Sequence, residues 1–312
     1  MHDIAQDSPS PRTRAEGRGE GRAVFADTLL RRASLAALLG AVALLALIVG
    51  FILWESRIPP AASLSIADFL LFERWDPSGQ PPQLGIGHAW MATLLVVGVA
   101  VAMATPLALV IAVFLSEIAP RGVRAAAEPA LQLLAGIPAV VYGFVGYATL
   151  VPFMERWLPT GETIIIAAIV LAVMVLPFIA ATSAEAFSLV AKDLRYAGLS
   201  LGVSRWYAFT RITLRKAAPG VLAGVILGTG RGLGETLAVL MLAGNSPIFP
   251  DSLFGRGQPL TALIATDLGE SAIHSERYYA LFSAGLILML TVIAINIAVM
   301  QIKRRFVDVG RH

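Results

Sequence analysis

The segment "GVILGTGRGLGETLAVL", residues Gly224 to Leu240, is an apolar run that contains one arginine and one glutamate. On insertion scales a charged side chain at the centre of a bilayer costs about 2.5–3.5 kcal/mol, so ionisable residues inside a membrane are rare and mark functional positions by default. Arg231 and Glu235 are therefore the first candidates for a functional site, provided that this run lies in a membrane.

The composition is that of a membrane protein. Hydrophobic residues make up 57% of the 312 residues, charged residues make up only 14%, and the mean hydropathy is +0.74. Soluble domains carry about 25% charged residues, so this chain is short of the groups that face water. The chain contains no cysteine, which excludes disulfides, cysteine-ligated metal sites and cysteine nucleophiles.

Six stretches are long and apolar enough to cross a hydrocarbon core, which takes about 20 residues of helix. They are approximately Ala33–Trp54, Trp90–Leu115, Ala130–Val151, Thr163–Thr182, Pro219–Leu242 and Tyr278–Ile302. Pro106, Pro138 and Pro177 fall inside them, where a proline kinks a helix but is tolerated when neighbours satisfy the freed carbonyls. The sequence therefore predicts an all-α polytopic membrane protein with six transmembrane helices.

Lysine and arginine are unevenly distributed between the segments that join these stretches. The segments 1–32, 116–129, 183–218 and 303–312 hold six, two, six and four of them, eighteen of the 24 in the chain. Only five lie in the alternate segments, which are 55–89, 152–162 and 243–277. By the positive-inside rule, both termini and the 183–218 loop lie in the cytoplasm. The basic charge is therefore a topology signal and does not indicate nucleic-acid binding.

This topology divides the chain into four parts. Residues 1–32 form a basic cytoplasmic tail, and its first 26 residues have almost none of the large apolar side chains needed to fold, so they are expected to be disordered. The other parts are a first transmembrane helix with an outer segment (33–89), a five-helix core (90–302) with a cytoplasmic loop (183–218) and an outer loop (243–277), and a second cytoplasmic tail (303–312).

Glycines recur at every fourth position through the fifth stretch, at Gly220, Gly224, Gly228 and Gly232. At helical spacing they form a stripe along which another membrane helix can approach closely. The sequence therefore predicts that this stripe serves helix packing. The "GTGRGLG" run does not fit a dinucleotide-binding loop, because a long apolar helix surrounds it in place of a strand, turn and helix.

Two interpretations of Arg231 and Glu235 stay open. The residues are four apart, so on one helix they share a face and could form a purely structural ion pair. Alternatively, Arg231 lines a path for an anion, since a guanidinium presents a fork of donors to a tetrahedral oxyanion, and Glu235 compensates its charge between substrates. Thr229 and Thr236 flank the pair with hydroxyls that would donate to an anion unless they bond to their own helix. We favour transport.

A hydrolase-type motif is present but weak, and a nucleotide-binding motif is absent. "GLSLG" matches the G-x-S-x-G pattern around Ser200, but the strand, sharp turn and histidine that a serine hydrolase needs are not indicated. The pattern G-x-x-x-x-G-K-[ST] is absent, so the chain has no P-loop of its own. We therefore predict no catalytic residue, no metal site and no cofactor on this chain, and uphill transport would draw on a partner or an ion gradient.

The cytoplasmic loop is charged but keeps apolar residues at helical spacing, which predicts a short amphipathic helix. That helix would lie at the lipid interface or dock into a soluble partner, and the periodicity does not decide which.

Part of this loop, "YAGLSLGVSRWYAFTRITLRKAAPGV", resembles the EAA loop of ABC importer permeases. The pattern of that family reads Glu-Ala-Ala, three residues, Gly, nine residues and Ile-x-Leu-Pro. The matching positions are Ala197, Gly202, Ile212 and Leu214, whereas Tyr196 stands for the Glu, Gly198 for the second Ala and Arg215 for the Pro. The resemblance implies that these residues form a coupling helix that docks on a separate ATPase, which would bind ATP and Mg.

Four further pieces resemble the permease subunits of phosphate-specific ABC importers. They are "FERWDP", "GIPAVVYGFVG", "GVILGTGRGLGETLAVLMLAGN" and "PLTALIATDLGE", and the likeness covers residues 33 to about 305. It implies a type I ABC importer permease in a bacterial inner membrane that imports inorganic phosphate by alternating access. It also implies a PstA-like permease subunit, two PstB-like ATPase subunits and a PstS-like phosphate-binding protein as partners. The substrate-pathway role of that family maps onto Arg231 and Glu235.

Three alternatives remain at this stage. The substrate could be another oxyanion such as sulfate or molybdate, because a binding protein would supply much of the discrimination. The chain could be a proton-coupled secondary carrier with Glu235 as the protonation site. A membrane-embedded hydrolase using Ser200 is the third.

Overall fold

The computed structural model describes residues 11–56, 66–71, 74–190 and 202–308. In chain order its helices are α1 (Pro11–Glu55), α2 (Ile66–Leu71), α3 (Gly87–Val113), α4 (Arg121–Gly136), α5 (Ala139–Met154), α6 (Ile164–Ser188), α7 (Arg205–Ala208), α8 (Leu214–Leu233), α9 (Leu237–Leu242), α10 (Leu260–Asp267) and α11 (Glu276–Asp308). Short π-helical segments, Phe114–Ile118 and Phe209–Thr213, follow α3 and α7, and the 3₁₀ turn Leu268–Glu270 follows α10. A two-residue antiparallel hairpin pairs β1 (Trp75–Asp76) with β2 (Gln83–Leu84).

The predicted all-α polytopic fold is confirmed. Five helical segments of the described chain are long and apolar enough to cross a membrane. They are Asp27–Glu55, Gly87–Ile118, Ile164–Ser188, Trp206–Leu233 and Glu276–Gln301. A sixth crossing is possible only if α4 and α5, which meet at 86°, count together as one span.

The third predicted stretch, Ala130–Val151, is therefore not one straight helix. α4 ends at Gly136, and both Ile137 and Pro138 adopt extended backbone. Pro138 has no amide hydrogen to continue the ladder of α4, and a residue before proline is pushed out of the helical region, so the chain turns here. The Tyr142 hydroxyl on α5 donates to the Leu134 carbonyl on α4 at 2.9 Å and bridges the break.

The fifth predicted stretch, Pro219–Leu242, is also interrupted. α8 ends at Leu233 and α9 begins at Leu237. The Gly234 amide donates to the carbonyls of Gly230 and Arg231, which closes the last turn of α8. Arg231 thus belongs to the end of α8, whereas Glu235 lies outside both helices. The prediction that the two residues share one helix face is wrong, because the helical ladder stops between them.

Two compact units make up the chain, residues 1–54 and 55–312. In the first unit the described side chains from 27 to 54 are mainly exposed apolar groups, among them Leu39 and Trp54. A helix that is apolar on all sides is typical of a membrane span.

In the second unit α6 is the most buried of the long helices and packs against both α3 and α8. The glycine stripe of α8 faces α6. A Cβ atom added at Gly228 would lie 2.7 Å from Ile179 Cγ1, and one at Gly224 would lie 3.1 Å from Thr182 Cβ. Gly220 faces Ala186 in the same way, while Gly232 is looser and faces α3 as well. The missing side chains let the two backbones approach closely.

We expect Gly228→Ala to lower the unfolding midpoint of the purified protein in detergent. The added methyl group would overpack the contact with Ile179, at a cost of about 1–3 kcal/mol. Helix propensity returns at most about 1 kcal/mol of that. Gly230→Ala on the same helix is the matched control, since nothing lies within 4 Å of its added Cβ. Equal midpoints for the two variants would contradict the close packing of α6 and α8.

Candidate functional site

Arg231 contacts an aromatic ring and not a carboxylate. Its Cζ atom lies over the ring of Phe178 on α6, 4.7 Å from the ring centroid, within the range of a cation–π interaction. Its Nε atom is buried and has no hydrogen-bond partner. Among the described residues no acidic side chain forms an ion pair with this guanidinium. The positive charge of Arg231 is therefore not neutralised within this part of the chain.

Glu235 is held through its backbone. The Thr261 hydroxyl of α10 donates to the Glu235 carbonyl at 2.9 Å, and the Glu235 amide donates to the Gly232 carbonyl. Its side chain is half-buried and forms no ion pair with a described residue. No ion pair therefore joins the two charges that the sequence places four residues apart.

Both threonine hydroxyls are used inside the chain. Thr229 is buried, and its hydroxyl donates to the Val225 carbonyl one turn earlier at 2.8 Å. The Thr236 hydroxyl donates to the Gly234 carbonyl at 3.4 Å. This is the back-bonding alternative, in which a threonine satisfies its own backbone. Of the four predicted pathway residues, Arg231 is the one whose donors stay available.

Sequence reasoning missed Phe178. Tyr142 on α5 bonds through its hydroxyl to the Leu134 carbonyl on α4. A Cβ added at the neighbouring Gly143 would lie 2.9 Å from the Ala238 Cα, so α5 and α9 pack closely beside the break. An aromatic residue in an apolar helix carries no signal of its partner, so Phe178 could not have been found from the sequence.

The loop between α9 and α10 packs against the start of α6 and against α3. Gly244, with a φ of +85°, and Asn245, with a φ of +44°, turn the chain directly after α9. The Gly257 amide then donates to the Ala243 carbonyl at 2.8 Å. At the start of α10 the Leu260 amide donates to the buried Thr93 hydroxyl on α3, also at 2.8 Å. These bonds fix α10, and with it Thr261, against the break.

Arginines on this loop and after it are neutralised. Arg277 Nη2 lies 2.9 Å from Asp267 Oδ2 and 3.3 Å from Glu270 Oε2, and the Trp75 indole also donates to Asp267. Arg256 pairs with Glu162 at 3.4 Å. Arg231 differs from them, because its contact is an uncharged ring.

The predicted docking residues fall partly outside the described chain. Tyr196, Ala197 and Gly198 lie in the segment that the structure does not describe. Further along, Gly202 has a φ of +78°, Ile212 is half-buried and Leu214 is exposed. Between them Phe209 is buried and meets Phe187 of α6 edge to face, with the ring centroids 5.5 Å apart. This part of the loop is therefore attached to the helix that carries Phe178.

The site thus consists of several apolar helices and an arginine that has no carboxylate partner among the described residues. Residues 104–308 match the family described as "Binding-protein-dependent transport system inner membrane component", and the chain belongs to this family. It is thus a multi-pass inner-membrane subunit for transport, and the predicted family is confirmed.

Relatives match over most of their length. The chain is 34% identical over 265 residues to "Phosphate transport system permease protein PstC" of Xylella fastidiosa, which covers 78% of this chain and 80% of the relative. It is 31% identical to the protein of the same description from Haemophilus influenzae, covering 85% and 87%. It is 35% identical to "Probable ABC transporter permease protein YqgH" of Bacillus subtilis, covering 72% and 74%.

Solved structures agree on the fold. A chain of a bacterial alginate ABC transporter superposes with a TM-score of 0.61 at 16% identity, covering 91% of this chain and 96% of the other. A chain of the MetNI methionine ABC transporter, solved in inward-facing conformations, gives 0.55 at 18% identity, covering 72% and 96%. These neighbours confirm the predicted ABC importer permease architecture.

We expect Asp267→Ala to destabilise the protein by about 1–3 kcal/mol, because it removes the acceptor of Trp75 and leaves Arg277 without its shorter ion pair. Glu270→Ala is the matched control on the same arginine. The Glu270 side chain is 75% exposed, so its loss should change stability by less than about 1 kcal/mol. Thermal unfolding of both variants measures the difference, and a larger loss for Glu270→Ala would refute this assignment.

Proposed function

We propose that this chain is a PstC-type permease subunit of an ATP-driven importer that moves inorganic phosphate into the cell. The single observation that carries the proposal is that Arg231, at the end of a broken transmembrane helix, has no acidic partner among the described residues. A guanidinium stays charged at any working pH and offers a fork of donors that matches a tetrahedral oxyanion. The relatives described as phosphate permeases, which span most of this chain, support phosphate as that oxyanion.

The proposed subunit works by alternating access within a larger assembly. Its termini and the loop around 183–218 face the cytoplasm, as the distribution of lysine and arginine indicates. A PstA-like permease subunit completes the pathway, and a PstS-like protein delivers phosphate from outside. Two PstB-like ATPases bind ATP and Mg and dock on the loop. Closure of the ATPase dimer opens the pathway outward, and hydrolysis resets it inward.

Contacts within the chain support coupling between the cytoplasmic loop and Arg231. The loop is attached to α6 through Phe187 and Phe209, and α6 holds Arg231 through Phe178. α6 also packs against the glycine stripe of α8. A displacement of the loop would thus be carried by one helix to the ring that contacts Arg231.

The test is phosphate uptake into vesicles that hold the whole assembly, with ATP hydrolysis measured in parallel. We expect Arg231→Gln to reduce uptake at least about tenfold, since it removes donors that would serve a charged substrate. Uptake that is lost while the assembly still hydrolyses ATP would support a place in the substrate path. A complex that falls apart would make Arg231 a structural residue, and normal uptake would refute the proposal.

Arg231→Lys distinguishes direct hydrogen bonding between Arg231 and the anion from a general effect of the positive charge. Lysine keeps the positive charge but loses the planar fork, so uptake should fall if Arg231 binds the anion through two donors and survive if only the charge matters. We expect a loss, measured as the maximal uptake rate at saturating phosphate-loaded binding protein. Competition by sulfate or molybdate in the same assay tests the alternative substrates.

Glu235→Gln addresses the proton-coupled alternative. A secondary carrier that protonates Glu235 should move substrate without ATP and lose its pH dependence in this variant. The proposed ATP-driven subunit should require ATP in both wild type and Glu235→Gln. Uptake driven by a pH gradient in vesicles without ATP would overturn the proposed function.

A further inference from the structure

The guanidinium of Arg231 is contacted by one face of an aromatic ring. The Cζ atom lies 4.7 Å from the Phe178 ring centroid, where the negative face of the ring attracts a cation. The Nε atom is buried without a hydrogen-bond partner, whereas the terminal nitrogens are not buried in this way. Glu235, the carboxylate that the sequence offers as partner, forms no ion pair with a described residue.

The ring is carried by the most firmly packed part of the second unit. Ile179, the next residue, is fully buried and lies against the two glycines of α8 at positions 224 and 228. These contacts fix the backbone of α6 relative to that of α8, three residues before Arg231. Phe178 is half-buried and contacts Arg231 from a helix whose backbone is held in place.

A ring and a carboxylate have different effects on the charge and the hydrogen-bond donors of an arginine. A carboxylate would accept the in-plane N–H donors and cancel the charge. A phenyl ring carries no net charge and attracts the cation through its π face without accepting a conventional hydrogen bond. The guanidinium therefore keeps its charge and the donors of its two terminal nitrogens.

We infer that Phe178 is a positioning residue for anion transport, holding the Arg231 guanidinium where its free donors meet the oxyanion. This inference rests on the proposed function. An incoming anion would have no ion pair to break with any residue that the structure describes. When the anion leaves, the ring would keep the guanidinium in the same place for the next anion.

The test replaces Phe178 by phenylalanines with one, two and three fluorine atoms on the ring. Fluorination withdraws charge from the ring face while nearly preserving its size, so it weakens a cation–π contact and spares packing. The maximal phosphate uptake rate is measured in vesicles holding the whole assembly, with saturating phosphate-loaded binding protein. We expect a stepwise fall, reaching roughly threefold to thirtyfold for the trifluorinated ring.

The same fluorinated series at Phe153 is the matched control, because that side chain is 56% exposed on α5 and should give unchanged uptake. Two ordinary variants check the series. Phe178→Tyr keeps an electron-rich ring and should retain more than half of the wild-type rate. Phe178→Leu should fall to the rate of the trifluorinated variant. Size-exclusion chromatography establishes that each assembly is intact.

Wild-type uptake with the trifluorinated ring would overturn the inference, and so would an equal loss for Phe178→Tyr and Phe178→Leu. Arg231→Gln, measured alongside, separates this failure from that of the proposed function. If Arg231→Gln stops uptake while the fluorinated variants transport normally, only the role of Phe178 is refuted. If Arg231→Gln transports normally, the proposed substrate path itself is wrong.

Discussion

The close contact between α6 and α8 is the constraint on which the site depends. Glycines at positions 220, 224 and 228 leave no side chain between the two helices, and residues of α6 fill the space. In a bilayer the hydrophobic effect gives no driving force between helices, so close packing has to supply the attraction. This contact fixes the position of α8 along the axis of α6. It therefore also sets which side chain of α6 meets Arg231.

The end of α8 determines how Arg231 and Glu235 are placed. A continuous helix would have placed Arg231 and Glu235 on one face, where each neutralises the other. The chain instead leaves the helix at Gly234, and Thr261 captures the Glu235 carbonyl. The result is an arginine whose charge is preserved. Arg277 and Arg256, by contrast, are held by carboxylates.

α6 connects the two ends of the proposed mechanism. At one end Phe187 packs against Phe209 of the cytoplasmic loop, and about nine residues earlier Phe178 contacts Arg231. A packed helix transmits displacement as a rigid element, because a close-packed interior does not deform continuously. The two broken pairs, α4 with α5 and α8 with α9, both pack against α6.

Much of this fold can be predicted from local sequence. Apolar length predicts the membrane helices, and the charged pair in the fifth stretch identifies Arg231, because these signals depend only on hydrophobicity and on the cost of burying charge. The break at Pro138 also had a local signal, although a kinked span and a right-angled turn are indistinguishable in one sequence. What tertiary structure alone decided is the partner of Arg231. Phe178 lies 53 positions earlier in the chain, and only the packing of α6 on α8 and the capture of Glu235 by α10 bring a ring, and not a carboxylate, to the guanidinium.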